Sequence, residues 1–187
     1  MSYKLTTQEM NRLTVDEFRA SQKIPLTVVL DNVRSQNNIG SVFRTADAFR
    51  VGRIVLCGIC STPPHREIHK TALGAEESVD WSYCEDTVDC VRALKEQGYR
   101  IYAVEIARDS LKLGKDSVSC DGPVAIVLGN EIDGVQEEVI ELCDGTIEIP
   151  QAGTKHSLNV SCAAAIVMWE MSKFLNYDIN VNEKKRI

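Results

Sequence analysis

Asn159 and Ser161 place polar side chains in the first turn of a predicted helix that is otherwise apolar. The helix follows a polar loop at 151–156, and we predict that Ser157 caps it, because a serine hydroxyl accepts hydrogen bonds from the free amides of a first turn. Those amides also favour a bound polar group beside the helix start. The stretch 147–170 is therefore either a binding site or a capped helix that packs on a strand.

A second candidate group is Arg44, which lies on a predicted helix at 39–49 among the apolar residues Phe43 and Ala46. A guanidinium charge is costly to leave without a partner in such surroundings, so we expect Arg44 to meet a specific anion. Asn38 stands at the start of this helix, where we predict that it is the cap. The anion is either a bound ligand or the carboxylate of a structural ion pair.

A third polar loop, GNEIDG at 129–134, follows an apolar strand and places Glu131 where a ligand can reach it. The loop is not a phosphate-binding P-loop, because no Gly-Lys-Ser or Gly-Lys-Thr follows, and its glycine spacing differs from the dinucleotide-binding fingerprint. A glycine turn that carries a solvated acid is the alternative interpretation.

Cys57 and Cys60, with His65 and His69 downstream, have part of the spacing of a zinc knuckle. The second pair of ligands is missing, so we expect no metal site. A redox dithiol needs its first thiolate at a helix start, which the segment 61–64 (STPP) does not provide. We therefore predict that these cysteines are buried apolar residues.

The composition is that of a globular domain, since 44% of the 187 residues are apolar and 26% are charged. The net charge of −6 argues against nonspecific coating of nucleic acid. A protein with this net charge can still have a local basic rim that binds nucleic acid at a specific site. Candidates for such a rim are Arg34, Arg50, Arg53, His65, Arg66, Lys70, Lys155 and His156. We expect a cytoplasmic protein with reduced thiols, because its 7 cysteines accompany neither an apolar secretory segment nor a membrane span.

The elements that must position these groups alternate along the chain. Predicted strands lie at 26–30, 53–57, 79–83, 100–104, 124–128 and 146–149, and predicted helices at 14–22, 39–49, 66–73, 87–97, 136–142 and from 158 onward. Alternation of helices with strands that are continuously apolar indicates an α/β fold, with a mostly parallel sheet and helices on both faces. Ligands of such sheets bind beyond the carboxyl ends of the strands, where all three polar loops fall.

Taken together, the loops resemble three motifs of the SpoU/TrmH-type RNA methyltransferases of the SPOUT superfamily. The matching stretches are 38–46 (NIGSVFRTA), 126–135 (IVLGNEIDGV), and 149–150 (IP) with Gly153 and 157–163 (SLNVSCA). Their order and spacing agree with the family over about residues 25–175. Any one motif is weak, but three in order are specific.

The resemblance implies an α/β fold with a C-terminal trefoil knot, a homodimer, and S-adenosylmethionine as the methyl donor. It implies methylation of a ribose 2′-hydroxyl in tRNA or rRNA, without a metal. Carried over to this chain, the cofactor-binding positions are Val104, Gly129, Ile149, Ser157 and Leu158. The catalytic positions are Arg44, Asn38, Glu131, Ser157 and Asn159.

The role of Arg44 stays open between a general base and a clamp on the adjacent phosphate, because a guanidinium is normally always charged. A catalytically inactive knotted RNA-binding protein is disfavoured by the intact Arg44, Glu131 and Asn159. A nucleotide- or NAD-binding α/β enzyme is disfavoured by the missing glycine fingerprint.

We divide the chain into a short N-terminal helical extension (1–24), the methyltransferase domain (25–176) and a polar basic tail (177–187). The lead-in before the motifs is about one helix long, so we expect no separate RNA-binding domain there. The sequence does not distinguish tRNA from rRNA as the target.

Overall fold

A seven-stranded sheet forms the centre of the protein in the computed structural model, which describes residues 3–6, 9–116, 118–119 and 121–175. The strands are β1 (Ile24–Asp31), β2 (Val51–Cys57), β3 (Trp81–Cys84), β4 (Arg100–Val104), β5 (Leu111–Lys112), β6 (Val124–Leu128) and β7 (Gly145–Glu148). The helices are α1 (Val15–Ala20), α2 (Gln36–Ala48), α3 (Arg66–Ala72), α4 (Ala75–Ser78), α5 (Thr87–Glu96), α6 (Glu137–Leu142) and α7 (Val160–Phe174).

The sheet has the strand order β3-β2-β1-β6-β4-β7-β5, and its strands pair in parallel. Successive residues of the central strand β1 belong to different hydrophobic clusters, with Val28 and Leu30 on one face and Val29 on the other. Helices α1, α2, α3, α4 and α7 supply the first cluster, and α5 and α6 supply the second. The predicted parallel sheet with helices on both faces is therefore confirmed.

The six predicted strands and six predicted helices are all present, with boundaries shifted by a few residues at most. Two short elements escaped prediction: β5, inside the connection expected to be merely polar, and the single-turn helix α4. No helix in the described part of the chain is long and apolar enough to cross a membrane. The predicted tail at 177–187 lies outside the described residues.

Both cap predictions are wrong. The cap of α2 is Ser35, whose hydroxyl accepts from the Asn38 amide at 3.3 Å, so Asn38 lies inside the first turn. The cap of α7 is Asn159, whose side-chain oxygen accepts from the Ser161 amide at 2.9 Å. At Ser35 and Asn159 the backbone is not helical and the side-chain oxygen accepts from an amide of the first turn, which is the arrangement of an N-cap. Ser157 lies in the loop before α7.

Candidate active site

A pocket of about 340 Å³ opens beyond the carboxyl ends of β4, β6 and β7. All the positions that the motif resemblance assigned to the cofactor line it: Val104, Gly129, Ile149, Ser157 and Leu158. They come from separate stretches of the chain, which the parallel sheet brings to the same edge. The pocket lies where the sequence analysis expected a ligand.

The loop after β6 forms one wall and is held in a tight turn. Asn130 and Gly134 exchange backbone hydrogen bonds of 3.1 Å, and the Asn130 side-chain oxygen accepts from the amides of Ile132 and Asp133. A Cβ atom on Gly129 would lie 2.0 Å from the Gly134 carbonyl carbon, so this position requires glycine. The close approach of the two backbone segments shapes this wall of the pocket.

Glu131 joins this loop to the start of α2. Its carboxylate accepts from the Arg34 and Ser35 amides at 3.1 and 3.2 Å, and from Asn38 Nδ2 at 2.9 Å. Burial raises the pKa of Glu131, but the hydrogen bonds from Asn38, Arg34 and Ser35 outweigh it and hold the pKa below its usual value. The charge also lies at the N-terminus of α2, where the helix dipole favours an anion.

Asn38 forms hydrogen bonds to both the second and the third motif. Its Nδ2 donates to Glu131, and its Oδ1 accepts from Asn159 Nδ2 at 3.2 Å. Asn159 in turn caps α7 through its own side-chain oxygen. The chain Glu131–Asn38–Asn159 thus links the three motif loops directly.

Arg44 lies elsewhere than the sequence suggested. It is exposed to solvent and does not line the pocket, so the prediction of apolar surroundings is wrong. The cause is helix geometry: Asn37, Ser41, Arg44 and Ala48 share the outward face of α2, while Phe43 and Ala46 face the core. Within the described residues Arg44 forms no ion pair.

Sequence reasoning missed Glu105, whose carboxylate also lines the pocket. Its oxygens accept from the Ile106 amide at 2.9 Å and the Val135 amide at 3.4 Å. The signal was present, because Glu105 directly follows β4 just as Gly129 directly follows β6. A polar residue just beyond the carboxyl end of any parallel strand is a candidate ligand contact.

The predicted basic rim is divided by the fold. His156 lines the pocket and Lys155 is exposed beside it. Arg50 and Arg53, in contrast, lie just before and within the amino-terminal half of β2, away from the pocket. That part of the rim prediction is wrong, because Arg50 and Arg53 lie at the amino-terminal end of β2, whereas the pocket opens beyond the carboxyl ends of the strands.

Cys60 and His69, two of the residues with the spacing of a zinc knuckle, contact different groups in the structure. Cys60 is buried, donates to the Leu30 carbonyl at 3.3 Å and accepts from the Val33 amide at 3.2 Å, and burial raises its pKa to about 11. His69 Nδ1 contacts the Glu76 carboxylate instead. In the part of the chain that the structure describes, no cluster of histidine, cysteine and acidic residues is able to hold a metal ion. The absence of bound zinc stays a prediction.

The fold and the pocket define a class: a parallel α/β protein whose ligand site is built from three loops beyond the strand ends. Residues 25–169 match the model of the SpoU rRNA Methylase family, and the chain belongs to that family. The resemblance drawn from the three motifs is therefore confirmed.

Among curated relatives, the 23S rRNA (guanosine-2′-O-)-methyltransferase RlmB of Vibrio parahaemolyticus is 36% identical over 163 residues, or 87% of this chain and 65% of the relative. The tRNA (guanosine(18)-2′-O)-methyltransferase of Thermus thermophilus is 33% identical over 165 residues, or 88% of this chain and 83% of the relative. This chain thus spans less than two thirds of the length of the Vibrio relative.

A solved structure of an AdoMet-bound rRNA methyltransferase from Sinorhizobium meliloti superposes with a TM-score of 0.75 at 29% identity. The match covers 84% of this chain and 60% of that one.

Proposed function

We propose that this protein is an S-adenosylmethionine-dependent methyltransferase that acts on a ribose 2′-hydroxyl of tRNA or rRNA. The activities for which the Vibrio and Thermus relatives are named support the reaction. The observation that carries the proposal is the Glu131–Asn38–Asn159 chain, which joins all three motif loops around one pocket.

The pocket suits S-adenosylmethionine in size and chemistry. Leu158 and the partly buried Ile149 offer apolar walls for an adenine, and the tight loop after Gly129 presents backbone groups to its edge. Val104 and Ser157 complete the proposed set of cofactor contacts. When bound, the cofactor supplies a sulfonium methyl group that is already activated, so the reaction requires no metal.

Arg44 is the proposed contact to RNA. Its exposed guanidinium is free to bind a phosphate next to the target ribose, or to act on the hydroxyl itself. Asn38, Glu131 and Asn159 hold the loops that align the two reactants, and Ser157 lies on the cofactor side of the pocket. Alignment of this kind is a large part of the rate enhancement for a transfer between two bound groups.

We also propose the assembly and topology that the motif resemblance implies. Ile166 and Trp169 leave an exposed apolar stripe on α7, with Trp169 being 48% exposed, and this supports a homodimer through that helix. The placement of β7 between β4 and β5, followed by a return of the chain to the pocket, is compatible with a C-terminal trefoil knot. We also propose that the methyltransferase domain is bounded after residues 24 and 176 and that the protein is located in the cytoplasm.

The test is transfer of labelled methyl groups from S-adenosylmethionine to bulk RNA, with nuclease mapping of the product. Arg44→Ala is expected to keep cofactor affinity and to lose transfer by at least ~10²-fold, the low end of what a positioned catalytic group contributes. Arg92→Ala, another exposed arginine on the opposite face of the sheet, is the control and should transfer normally.

Arg44→Lys separates the two roles, because lysine keeps the charge and loses the planar fork. Substantial rescue favours the phosphate clamp. RNA binding without any transfer by the wild-type protein would instead support the inactive RNA-binding alternative. Wild-type transfer rates in Arg44→Ala would show that the assignment of Arg44 is wrong.

A further inference from the structure

A second cavity, of about 500 Å³, lies between the loop after β2, helices α3 and α4, and the start of β3. It shares no lining residue with the proposed cofactor pocket. Pro63, Pro64 and Trp81 provide its apolar walls, and Trp81 is 37% exposed. A partly exposed tryptophan facing prolines across a cavity is a surface on which a flat ring can stack.

Glu76 also lines this cavity and has an unmet hydrogen-bonding demand. Its side chain is only 8% exposed, and one carboxylate oxygen contacts His69 Nδ1. The other oxygen, Oε2, is the buried side-chain polar atom among the described residues that has no hydrogen-bond partner. A buried carboxylate oxygen is costly to leave without a hydrogen-bond donor, so a ligand N–H group that reaches Oε2 would stabilise it.

The charges around the cavity narrow the choice of ligand. Glu76 and Glu77 both line it, so a free anion is disfavoured inside. At the rim, Arg66 is exposed and forms no ion pair within the described residues. A ligand with an N–H donor on a flat ring and a phosphate outside the cavity satisfies both conditions.

The cavity is physically joined to the active site through the first turn of α2. Gln36 Nε2 donates to Ser61 Oγ at 3.2 Å, in the loop that continues to Pro63 and Pro64. Thr71 of α3 donates to the Asn37 carbonyl at 3.0 Å, next to Asn38 of the active-site chain. The start of α2, which carries Asn38, is therefore held directly against the segments that form the cavity.

We propose that this cavity binds an unpaired base of the substrate RNA, one that carries an exocyclic amino group. The base stacks on Trp81, its amino group donates to Glu76 Oε2, and its phosphate lies against Arg66. Stacking on aromatic side chains with readout of base edges is how proteins recognise single-stranded RNA, and a carboxylate accepts from the cytosine amino group. The inference rests on the proposed function, because it takes RNA to be the substrate.

Two fluorescent oligonucleotides, oligo(C) and oligo(U), test the proposal, since cytosine has an amino group where uracil has a carbonyl oxygen. Fluorescence anisotropy should show that the wild-type protein binds oligo(C) more tightly. Trp81→Ala should weaken oligo(C) binding roughly tenfold, within the range for loss of one stacked base. Glu76→Gln should reduce the preference for oligo(C) over oligo(U) about tenfold, a typical loss for one base-edge contact.

The controls are Tyr3→Ala and Glu96→Gln, which alter an exposed aromatic ring and an exposed acid away from the cavity. The two control proteins should bind both oligonucleotides as the wild type does. Glu76→Gln should also unfold at about the same urea concentration as the wild type, because removal of a buried charge offsets the weakened contact with His69. A purely structural role for Glu76 predicts a loss of stability instead.

The outcomes separate this proposal from the proposed function. Equal binding of oligo(C) and oligo(U), or wild-type binding by Trp81→Ala, overturns the cavity proposal even if methyl transfer to bulk RNA is intact. Saturable calorimetric binding of free cytidine without any preference for oligo(C) also overturns it, in favour of a small-molecule site. A preference that depends on Trp81 and Glu76, in a protein without methyl transfer, supports the cavity and refutes the proposed function.

Discussion

Leu158 gives a direct test of where the cofactor binds. It lines the same pocket as the loop after β6 and is 39% exposed in the free protein. If an adenine packs against it, binding must bury that remaining surface. Truncation to alanine should therefore weaken S-adenosylmethionine binding by an amount that this exposed fraction determines.

The magnitude follows from the carbons removed. Leu158→Ala deletes three carbons, each contributing about 0.8 kcal/mol when fully buried, or about 2.4 kcal/mol together. Because only 39% of the residue is left for the ligand to cover, the expected loss is roughly 0.9 kcal/mol. At about 1.4 kcal/mol per tenfold change, Kd should rise about fivefold. Leu158→Asp, which places a charge against the base, should raise Kd by roughly a hundredfold or more.

Isothermal titration calorimetry on folded variants measures both changes. Leu73→Ala is the matched control, because Leu73 is 65% exposed at the end of α3 and lies outside the pocket. Its affinity should equal that of the wild type. If Leu158→Ala and Leu158→Asp also bind normally, the cofactor does not contact Leu158, and the assignment of this pocket is wrong.

Three further predictions concern the loops and the cysteines. Gly129→Ala should lower cofactor affinity roughly tenfold or more, because its Cβ would clash with the Gly134 backbone and only a shift of the loop relieves it, whereas Gly153→Ala has open space and should bind normally. Glu131 has a lowered pKa in the folded protein, so its contribution to stability is present above the unfolded pKa of about 4.5 and is lost as pH falls through the lower folded value. Urea titrations should accordingly show Glu131→Gln to be less stable than the wild type at pH 7, with a smaller difference near pH 3; a constant difference would contradict this. Elemental analysis of protein purified without chelator should find zinc far below one per chain, and stoichiometric zinc would revive Cys57 and Cys60 as ligands.

The three polar loops indicate the family only in combination, because each loop alone also has a simpler structural explanation. Glu131 alone is compatible with a solvated acid in a turn, and Asn159 alone with a helix cap. In the structure Asn159 is indeed a cap, and it also contacts Asn38, so one side chain does both. A residue can therefore both cap a helix and belong to a ligand site, because ligand sites form where a helix starts beside the end of a strand.

Several features were predictable from the sequence because they depend on local patterns. Continuous apolar strands that alternate with amphipathic helices require helices on both faces of the sheet, and this arrangement was predicted correctly. The location of the pocket followed as well, since parallel strands direct every connecting loop at their carboxyl ends to one edge. Val104, Gly129 and Ile149 were assigned to the cofactor by the motif resemblance, and each one ends or directly follows a strand at this edge.

Only the tertiary structure decided which atoms meet. The contact of Glu131 with the Ser35 amide joins residues 96 positions apart, and it is one reason why α2 starts earlier than its apolar pattern indicates. The cavity at Trp81 and the unpartnered oxygen of Glu76 likewise depend on how α3, α4 and β3 pack together. The spacing of apolar residues indicates which face of a helix or strand is buried. A hydrogen-bond partner or a cavity depends instead on the relative positions of elements that are distant in the sequence, and no local pattern contains those positions.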